Sequence, residues 1–149
     1  MYDMNLKANY IISSFDRLYF SFYLGNDAIG YGLQNNTTLN ASIGTNWGNL
    51  ATSLRYNKVF NPKVYANFTI GHSKYHYGEE SDIQIKNDNE INDRFHSIYK
   101  SNISDNFLKA RFDYKITHRA RSVFGYDFYY HTYQPGQTSI NQTGINLTP

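Results

Sequence analysis

Five histidines are the side chains of this chain best suited to bind a metal ion or move a proton. His72 and His76 are four residues apart on a segment that alternates like a β-strand, so they share a face but lie too far apart for one ion. His96, His118 and His131 fall in a predicted loop, a predicted turn and a strand end. The pattern favours surface histidines, and we predict no metal ligands.

Three carboxylates, Asp105, Asp113 and Asp127, could form a pair for general acid–base catalysis. The sequence positions no nucleophile or base beside them, so we interpret them as salt-bridged residues of a strand wall. The glycines between residues 25 and 32 do not precede a helix, as a phosphate-binding loop requires. The chain has no cysteine. We therefore predict no catalytic residues, no enzymatic activity and no cofactor.

The segment from 47 to 77 predicts two long strands joined by a short turn. Apolar residues occupy alternate positions over 50–56 and again over 64–70, which places them on one face of a pleated sheet. Asn61 and Pro62 suit the turn between them, because proline fixes φ and cannot donate to a ladder. Each arm keeps its apolar face for about ten residues, the length a tilted strand needs to cross a bilayer. Strands of soluble proteins more often have about five or six residues.

The rest of the chain repeats this hairpin. Two kinds of connection alternate, short turns and long polar loops, and this asymmetry is typical of outer-membrane barrels. We predict an all-β, antiparallel up-and-down meander of about six long strands whose long loops face the cell exterior. The predicted strands cover 4–12, 17–24, 49–57, 64–71, 107–116 and 124–131, the short turns 13–16, 58–63 and 117–121, and the polar loops 25–46, 78–101 and 134–149.

Charged residues within these strands fall on the less apolar face. They are Lys7, Arg17, Arg55, Lys109, Arg111, Asp113, Lys115 and Asp127. An arginine on a lipid-facing surface near the bilayer midplane would cost about 2–4 kcal/mol. A soluble sandwich with one wet face would sort its charges in the same way, so strand length and loop asymmetry carry the membrane interpretation.

The third short turn predicts a register. If Ile116 lies opposite Ser122, then Arg111 faces Asp127 across the ladder. Opposite charges in that position contribute about 0.2–1 kcal/mol. We therefore predict a charged pair of Arg111 and Asp127 on the hydrated, lumen-facing side of the strands.

Aromatic residues are abundant, with 15 Tyr and 10 Phe among 149 residues. Aromatic side chains collect at both membrane–water interfaces of barrels, where they form girdles. The aromatic run at 126–133 could instead be a platform that stacks sugars, but a girdle is the preferred interpretation. The predicted girdle residues are Trp47, Tyr75, Tyr77, Tyr130 and Tyr133.

Composition limits the remaining possibilities. The formal net charge of +2 is too small to indicate nucleic-acid binding. The sequence has no run of about eighteen apolar residues, so it predicts no transmembrane helix. Its first residues carry no secretory signal pattern. The chain is thus either cytosolic or a fragment of a longer protein, and we favour a fragment.

Three segments resemble one protein family, the TonB-dependent outer-membrane receptors of Bacteroidetes, including the SusC-like importers. Residues 17–27 read RLYFSFYLGND, and residues 47–75 read WGNLATSLRYNKVFNPKVYANFTIGHSKY. Residues 130–136, which follow another strand pattern, read YHTYQPG. These are strand patterns with specific spacing, and they resemble the strand-to-loop segments and hairpins of that family.

The resemblance implies a barrel of about 22 strands, closed by an N-terminal plug, in the outer membrane of a Gram-negative cell. Such receptors import siderophores, cobalamin, glycans or peptides. The implied partners are outer-membrane lipid, the TonB complex through the plug, the imported ligand and, in SusC-like systems, a SusD-like lipoprotein.

Residues 1–149 are predicted to be a single partial barrel segment without signal peptide, plug or closing strand. Two alternatives remain open. One is a secreted or periplasmic β-sandwich that binds carbohydrate, and the other is a small structural outer-membrane barrel.

Overall fold

The computed structural model describes residues 1–35, 38–87 and 90–144. It confirms an all-β, antiparallel up-and-down arrangement of six strands in one sheet, with the spatial order equal to the chain order. The strands are β1 (Tyr2–Ile11), β2 (Asp16–Asn35), β3 (Leu39–Asn61), β4 (Val64–Asn87), β5 (Glu90–Lys115) and β6 (Arg121–Thr143). β1 and β6 form the two edges, and the sheet is not closed on itself.

Three short turns join the strands at one end of the sheet, close to where the sequence predicts them. In the first turn, the Ser13 hydroxyl donates to the Asp16 carboxylate over 2.7 Å. In the second, the Asn61 side chain accepts the backbone N–H of Lys63 over 2.9 Å, a local bond that favours a turn. In the third, Thr117 Oγ1 accepts the backbone N–H of Ala120 over 3.1 Å. Short polar side chains thus close each turn by bonding to nearby residues.

The long polar loops predicted at 25–46 and 78–101 are wrong, and so is the loop predicted from residue 134 onward. β2 and β3 remain paired from the first turn out to Asn35 and Leu39, and β4 and β5 out to Asn87 and Glu90. β6 continues to Thr143. The resulting strands of 20–26 residues outside β1 are far longer than the apolar segments that revealed them. Residues 36–37, 88–89 and 145–149 of the predicted loops lie outside the described residues.

The sheet is a single layer. Over residues 2–11, 16–33, 39–59, 64–85, 93–115 and 121–134, even-numbered residues share one face and odd-numbered residues the other. We call these the even face and the odd face. Among the described residues, Ala66 is the only apolar side chain that is buried. Within the same ranges, no helix has the length and apolarity needed to span a membrane.

Candidate functional site

The even face carries an apolar surface next to the short turns, interrupted by Thr52 on β3, and we call it the apolar band. Its residues are Met4, Leu6, Ala8 and Tyr10, then Leu18, Phe20, Phe22 and Leu24, then Leu50, Leu54 and Tyr56, then Val64, Ala66, Phe68 and Ile70, then Leu108, Ala110, Phe112 and Tyr114, and finally Phe124, Tyr126, Phe128 and Tyr130. Seven residues of strand span about 20–24 Å. An uncovered apolar surface of this extent marks an interaction site.

Ring contacts run across the apolar band from strand to strand. Phe68 stacks on Tyr56 with 6.4 Å between ring centroids and meets Phe112 edge-on at 5.6 Å. Phe112 in turn stacks on Phe124 at 5.3 Å. The outer surfaces of the side chains stay uncovered, since Leu54 is 40% exposed and Ile70 is 59% exposed. Ring contacts therefore order the side chains of the band along the sheet, but no second layer of the described residues packs on top of them.

Charged residues occupy the odd face behind the apolar band, as predicted. All eight residues of the predicted set are odd-numbered and paired in register, so none lies on the even face. Within the described ranges, no ion pair involves Arg17, Arg55 or Arg111. The odd face at this level is therefore a hydrophilic surface with exposed cations.

The predicted register between β5 and β6 is wrong by two residues. Lys109, not Arg111, lies opposite Asp127, with 3.8 Å between Nζ and Oδ2, and Arg111 lies opposite Gly125. The turn explains the difference, because it begins one residue earlier than predicted and is closed by Thr117. A shift of the turn by one residue changes the partner of every residue on β5 by two positions on β6. Arg111 and Asp127 share the odd face as diagonal neighbours. That this face lines a lumen stays a prediction.

An aromatic and ionic cluster lies on the odd face of β5 and β6. The Tyr129 ring lies 6.0 Å from Phe107 and stacks on His131 at 5.6 Å. Lys109 Nζ lies 5.1 Å from the Tyr129 centroid, and His131 Nδ1 lies 2.7 Å from Asp105 Oδ1. The side chains of the run at 126–133 alternate between the two faces, so they do not form one platform for a sugar.

Beyond the apolar band, the two faces exchange character. On the odd face, the half of the sheet away from the short turns is rich in exposed apolar residues, among them Ile29, Tyr31, Leu33, Ile43, Ile83, Ile85 and Ile103. The even face there is polar. It includes a bidentate pair in which Arg94 donates to Asp82 over 2.8 and 2.9 Å, and this guanidinium holds the pKa of Asp82 below its usual range.

The exchange occurs at one level across the sheet. It falls between Leu24 and Ile29 on β2 and between Trp47 and Leu50 on β3, and these segments are paired with each other. On β5 it falls between Ile103 and Leu108. The same change on several strands indicates that the surroundings of the sheet change at that level. A switch of the alternation from even to odd positions is the sequence signal that could have revealed these outer strand halves.

The five predicted girdle residues lie on two different faces. Tyr130 is on the even face at the edge of the apolar band, whereas Trp47, Tyr75, Tyr77 and Tyr133 are on the odd face. These five residues therefore do not form one surface, because the prediction considered their height along the strands but not their face. Three other tyrosines, Tyr10, Tyr56 and Tyr114, lie on the even face at the turn-side edge of the band, and sequence reasoning missed them as a group.

An ionic cluster lies below the apolar band at the turn side. Lys58 Nζ lies 2.8 Å from Asp16 Oδ1, and the Tyr56 and Ser13 hydroxyls donate to the same carboxylate. The hydrogen bond from Lys58, followed by those from Tyr56 and Ser13, holds the pKa of Asp16 well below its usual range. Asp16 thereby links the first turn to β3.

The Asp16→Asn variant is expected to unfold at lower urea concentration than the wild type at pH 7. Because folding lowers the pKa of Asp16, its stabilising effect is full above its unfolded value of about 4 and is lost as the pH falls through the folded value. The difference between the two proteins should therefore shrink below about pH 4. Urea titrations followed by circular dichroism at pH 7 and pH 3 measure it. Asp27→Asn, at a residue without an ion pair in the described part of the chain, is the control, and an equal loss in both variants would contradict the assignment.

Four of the five histidines lie beside polar side chains. His72 pairs with Asn106 over 2.9 Å and His76 with Asn26 over 3.0 Å. His96 lies 3.5 Å from Glu80. In the described part of the chain, no three histidine or carboxylate side chains are grouped closely enough to hold a metal ion.

Comparison with known proteins adds no identification. No protein-family model matches the chain, and no curated protein gives a significant match to it. The geometry of the two faces and the sequence patterns are therefore the features that indicate a function.

Proposed function

We propose that this chain forms part of the wall and the outer hairpins of a TonB-dependent outer-membrane importer. In this proposal the apolar band contacts lipid, the odd face behind it lines a hydrated bore, and the long halves of the hairpins extend outside the cell. The observation that carries the proposal is the exchange of apolar and polar faces at one level of the sheet.

The exchange has a simple physical cause in a membrane. Inside the bilayer, the outer surface of a barrel must be apolar and the bore can be polar. Above the bilayer, the outer surface meets water, so the apolar residues must turn inward. A strand that crosses the boundary therefore moves its apolar positions from one parity to the other. β2, β3, β4 and β5 all do this, and each is at least 20 residues long.

The dimensions of the apolar band also fit a bilayer. A membrane barrel presents an apolar belt about 25 Å tall, and the seven-residue apolar runs of the band, tilted by about 35°, cover about 19 Å of that height. The first short turn closes level with Asn57 of β3, and the third closes about level with Asn61. The line through the short turns thus shifts by four residues along the strands over four strand spacings. This shift corresponds to strands tilted by about 35° from the normal to that line, which agrees with the strand tilt of membrane barrels.

The edges of the sheet support a place within a larger barrel. In lipid, unpaired backbone groups at a strand edge cost several kcal/mol each, so membrane barrels leave no free edge. β1 and β6 each pair on one side within the described ranges. In the proposed barrel of about 22 strands, further strands pair with both of them.

The assignment to import rests on the resemblance of residues 17–27, 47–75 and 130–136 to TonB-dependent receptors. The proposed ligands are siderophore, cobalamin, glycan or peptide nutrients, and the proposed partners are TonB, through a plug domain, and a SusD-like lipoprotein. If this is correct, uptake through the protein expressed from its complete reading frame will require TonB. Uptake that persists in a strain lacking TonB would instead favour a structural barrel without an import role.

A carbohydrate-binding sandwich gains little support from the arrangement. Two packed sheets would bury one face of each, yet the described residues form one sheet whose apolar band is uncovered. The aromatic side chains that could stack a sugar are divided between the faces. Lipid contact explains the uncovered band with no additional layer.

Single cysteines can test which face meets lipid, because the chain contains no cysteine of its own. In cells, Leu54→Cys is expected to resist a charged maleimide, because a thiol in hydrocarbon stays protonated and out of reach of the reagent, and to react once the protein is unfolded in urea. Ser53→Cys, the adjacent residue on the odd face, serves as the control and should react with the charged reagent once it enters the bore. Labelling is measured by the mass shift of the purified protein.

The outer half of the sheet should give the opposite pattern. Ser42→Cys, on the even face of the same strand, is expected to react rapidly with the charged reagent from outside the cell, and Ile43→Cys slowly. If Leu54→Cys reacted with the charged reagent as fast as Ser42→Cys, the apolar band would be in water. The membrane proposal would then be wrong.

A further inference from the structure

A small basic cluster lies on the even face just beyond the outer edge of the apolar band. Lys74 follows Ile70 by four residues on β4 and lies opposite Leu50, the last apolar residue of the band on β3. Its side chain is exposed, and no ion pair of the described residues involves it. His72 and His76 flank it two positions away on the same face. Ser104 lies opposite it on β5.

The flanking histidines are held in place by carboxamides. His72 bonds to Asn106 and His76 to Asn26, each through one ring nitrogen. The other ring nitrogens have no hydrogen-bond partner among the described residues. The nearest carboxylate on this face is Glu80, two positions beyond Gly78, and it lies 3.5 Å from His96. Hydrogen-bonding side chains thus surround the Lys74 ammonium, with no carboxylate between them.

We propose that Lys74, with His72, His76 and Ser104, binds the phosphate of an anionic lipid headgroup in the outer leaflet. This inference rests on the proposed function, since the apolar band fixes where the lipid ends. Lys74 lies about 10 Å above the last apolar residue of its own strand, within the headgroup layer. A lysine ammonium at that depth attracts anionic headgroups, and its stem can lie along the apolar band.

Lys100 provides a matched control on the same face. It is also exposed and without an ion pair in the described ranges, but it lies opposite Gly78 and eight residues beyond Leu108. That position is about 20 Å above the apolar band, out of reach of lipid phosphates. Lys74→Gln and Lys100→Gln therefore remove the same charge at two heights.

The experiment uses the protein expressed from its complete reading frame and purified in a non-ionic detergent. Native mass spectrometry measures retention of phosphatidylglycerol, with phosphatidylcholine as the zwitterionic reference. We expect Lys74→Gln to weaken phosphatidylglycerol retention about five-fold, Lys74→Arg to restore most of it, and Lys100→Gln to leave it unchanged. Inorganic phosphate at the same concentration should not compete.

Two outcomes would overturn the lipid site. One is equal retention by wild type and Lys74→Gln, and the other is an equal loss in Lys74→Gln and Lys100→Gln, which would indicate general attraction to charge. The proposed function is checked separately by recovery of the wild-type protein in outer-membrane fractions and by heat-dependent gel mobility. A protein that is recovered there but fails the lipid test rejects the lipid site and keeps the membrane wall.

Discussion

With the apolar band in lipid, as we propose, replacement of Leu54 by arginine is expected to destabilise the folded protein by about 2–4 kcal/mol. Leu54 lies near the middle of the apolar band on β3, between Phe20 and Ile70, and is 40% exposed on the even face. A guanidinium there would have to enter hydrocarbon near its midplane, and no acidic side chain of the band could pair with it. Unfolding in urea from lipid bilayers, followed by gel mobility, measures the loss.

Ser73→Arg is the control for this prediction. Ser73 is on the odd face and lies opposite Asp105, so an arginine there would meet water and a carboxylate. Its effect should stay within about 0.5 kcal/mol, the usual range for surface substitutions. Similar losses in Leu54→Arg and Ser73→Arg would show that the even face is not the lipid-facing side.

Replacement of Gly71 by valine is expected to destabilise the protein by about 1–3 kcal/mol, the usual effect of overpacking. The Phe107 ring lies over the Gly71 backbone on the odd face. A Cβ on Gly71 would come within 2.7 and 2.8 Å of the two Cε atoms of that ring, so the ring would be displaced. The displaced ring would lose its contacts with Tyr129 and Lys109. Urea unfolding measures the change.

Two comparisons isolate the ring as the cause. In a Phe107→Ala background, Gly71→Val should be neutral or stabilising, because valine favours strands more than glycine does. Gly44→Val should also be neutral or stabilising in the wild type, since nothing lies within 4 Å of a Cβ at Gly44. If Gly71→Val cost the same with and without Phe107, contact with the ring would not explain the loss.

The inner half of the sheet could be predicted from the sequence because one physical pattern governs it. Alternation over 18–24, 50–56 and 108–114 gives strand type, face and charge sorting together, and the structure confirms all three. Alternation alone does not fix register. Register depends on which residue closes each turn. With Thr117 closing the third turn, the β5–β6 partners differ by two residues from the predicted ones.

The outer half was missed because its alternation changes parity and is interrupted. Residues 25–28 separate the last even apolar position of β2 from the first odd one, and they contain polar and small residues that resemble a loop. The five residues predicted as a girdle were assigned without regard to face for the same reason. The height of a residue along a strand can be inferred from its distance to a turn. The face on which it lies can be inferred only if the alternation is followed residue by residue, and the polar segment interrupts that alternation.

The length of the paired hairpins has a mechanical consequence. β4 is hydrogen-bonded to β3 and to β5 along almost its entire 24 residues, so no part of it can swing without breaking rungs on both sides. If the band sits in the bilayer, the portion above it is a stiff collar around the entrance and not a set of hinged flaps. Opening and closing of that entrance would then require movement of other parts of the protein, with fewer hydrogen bonds to neighbouring segments.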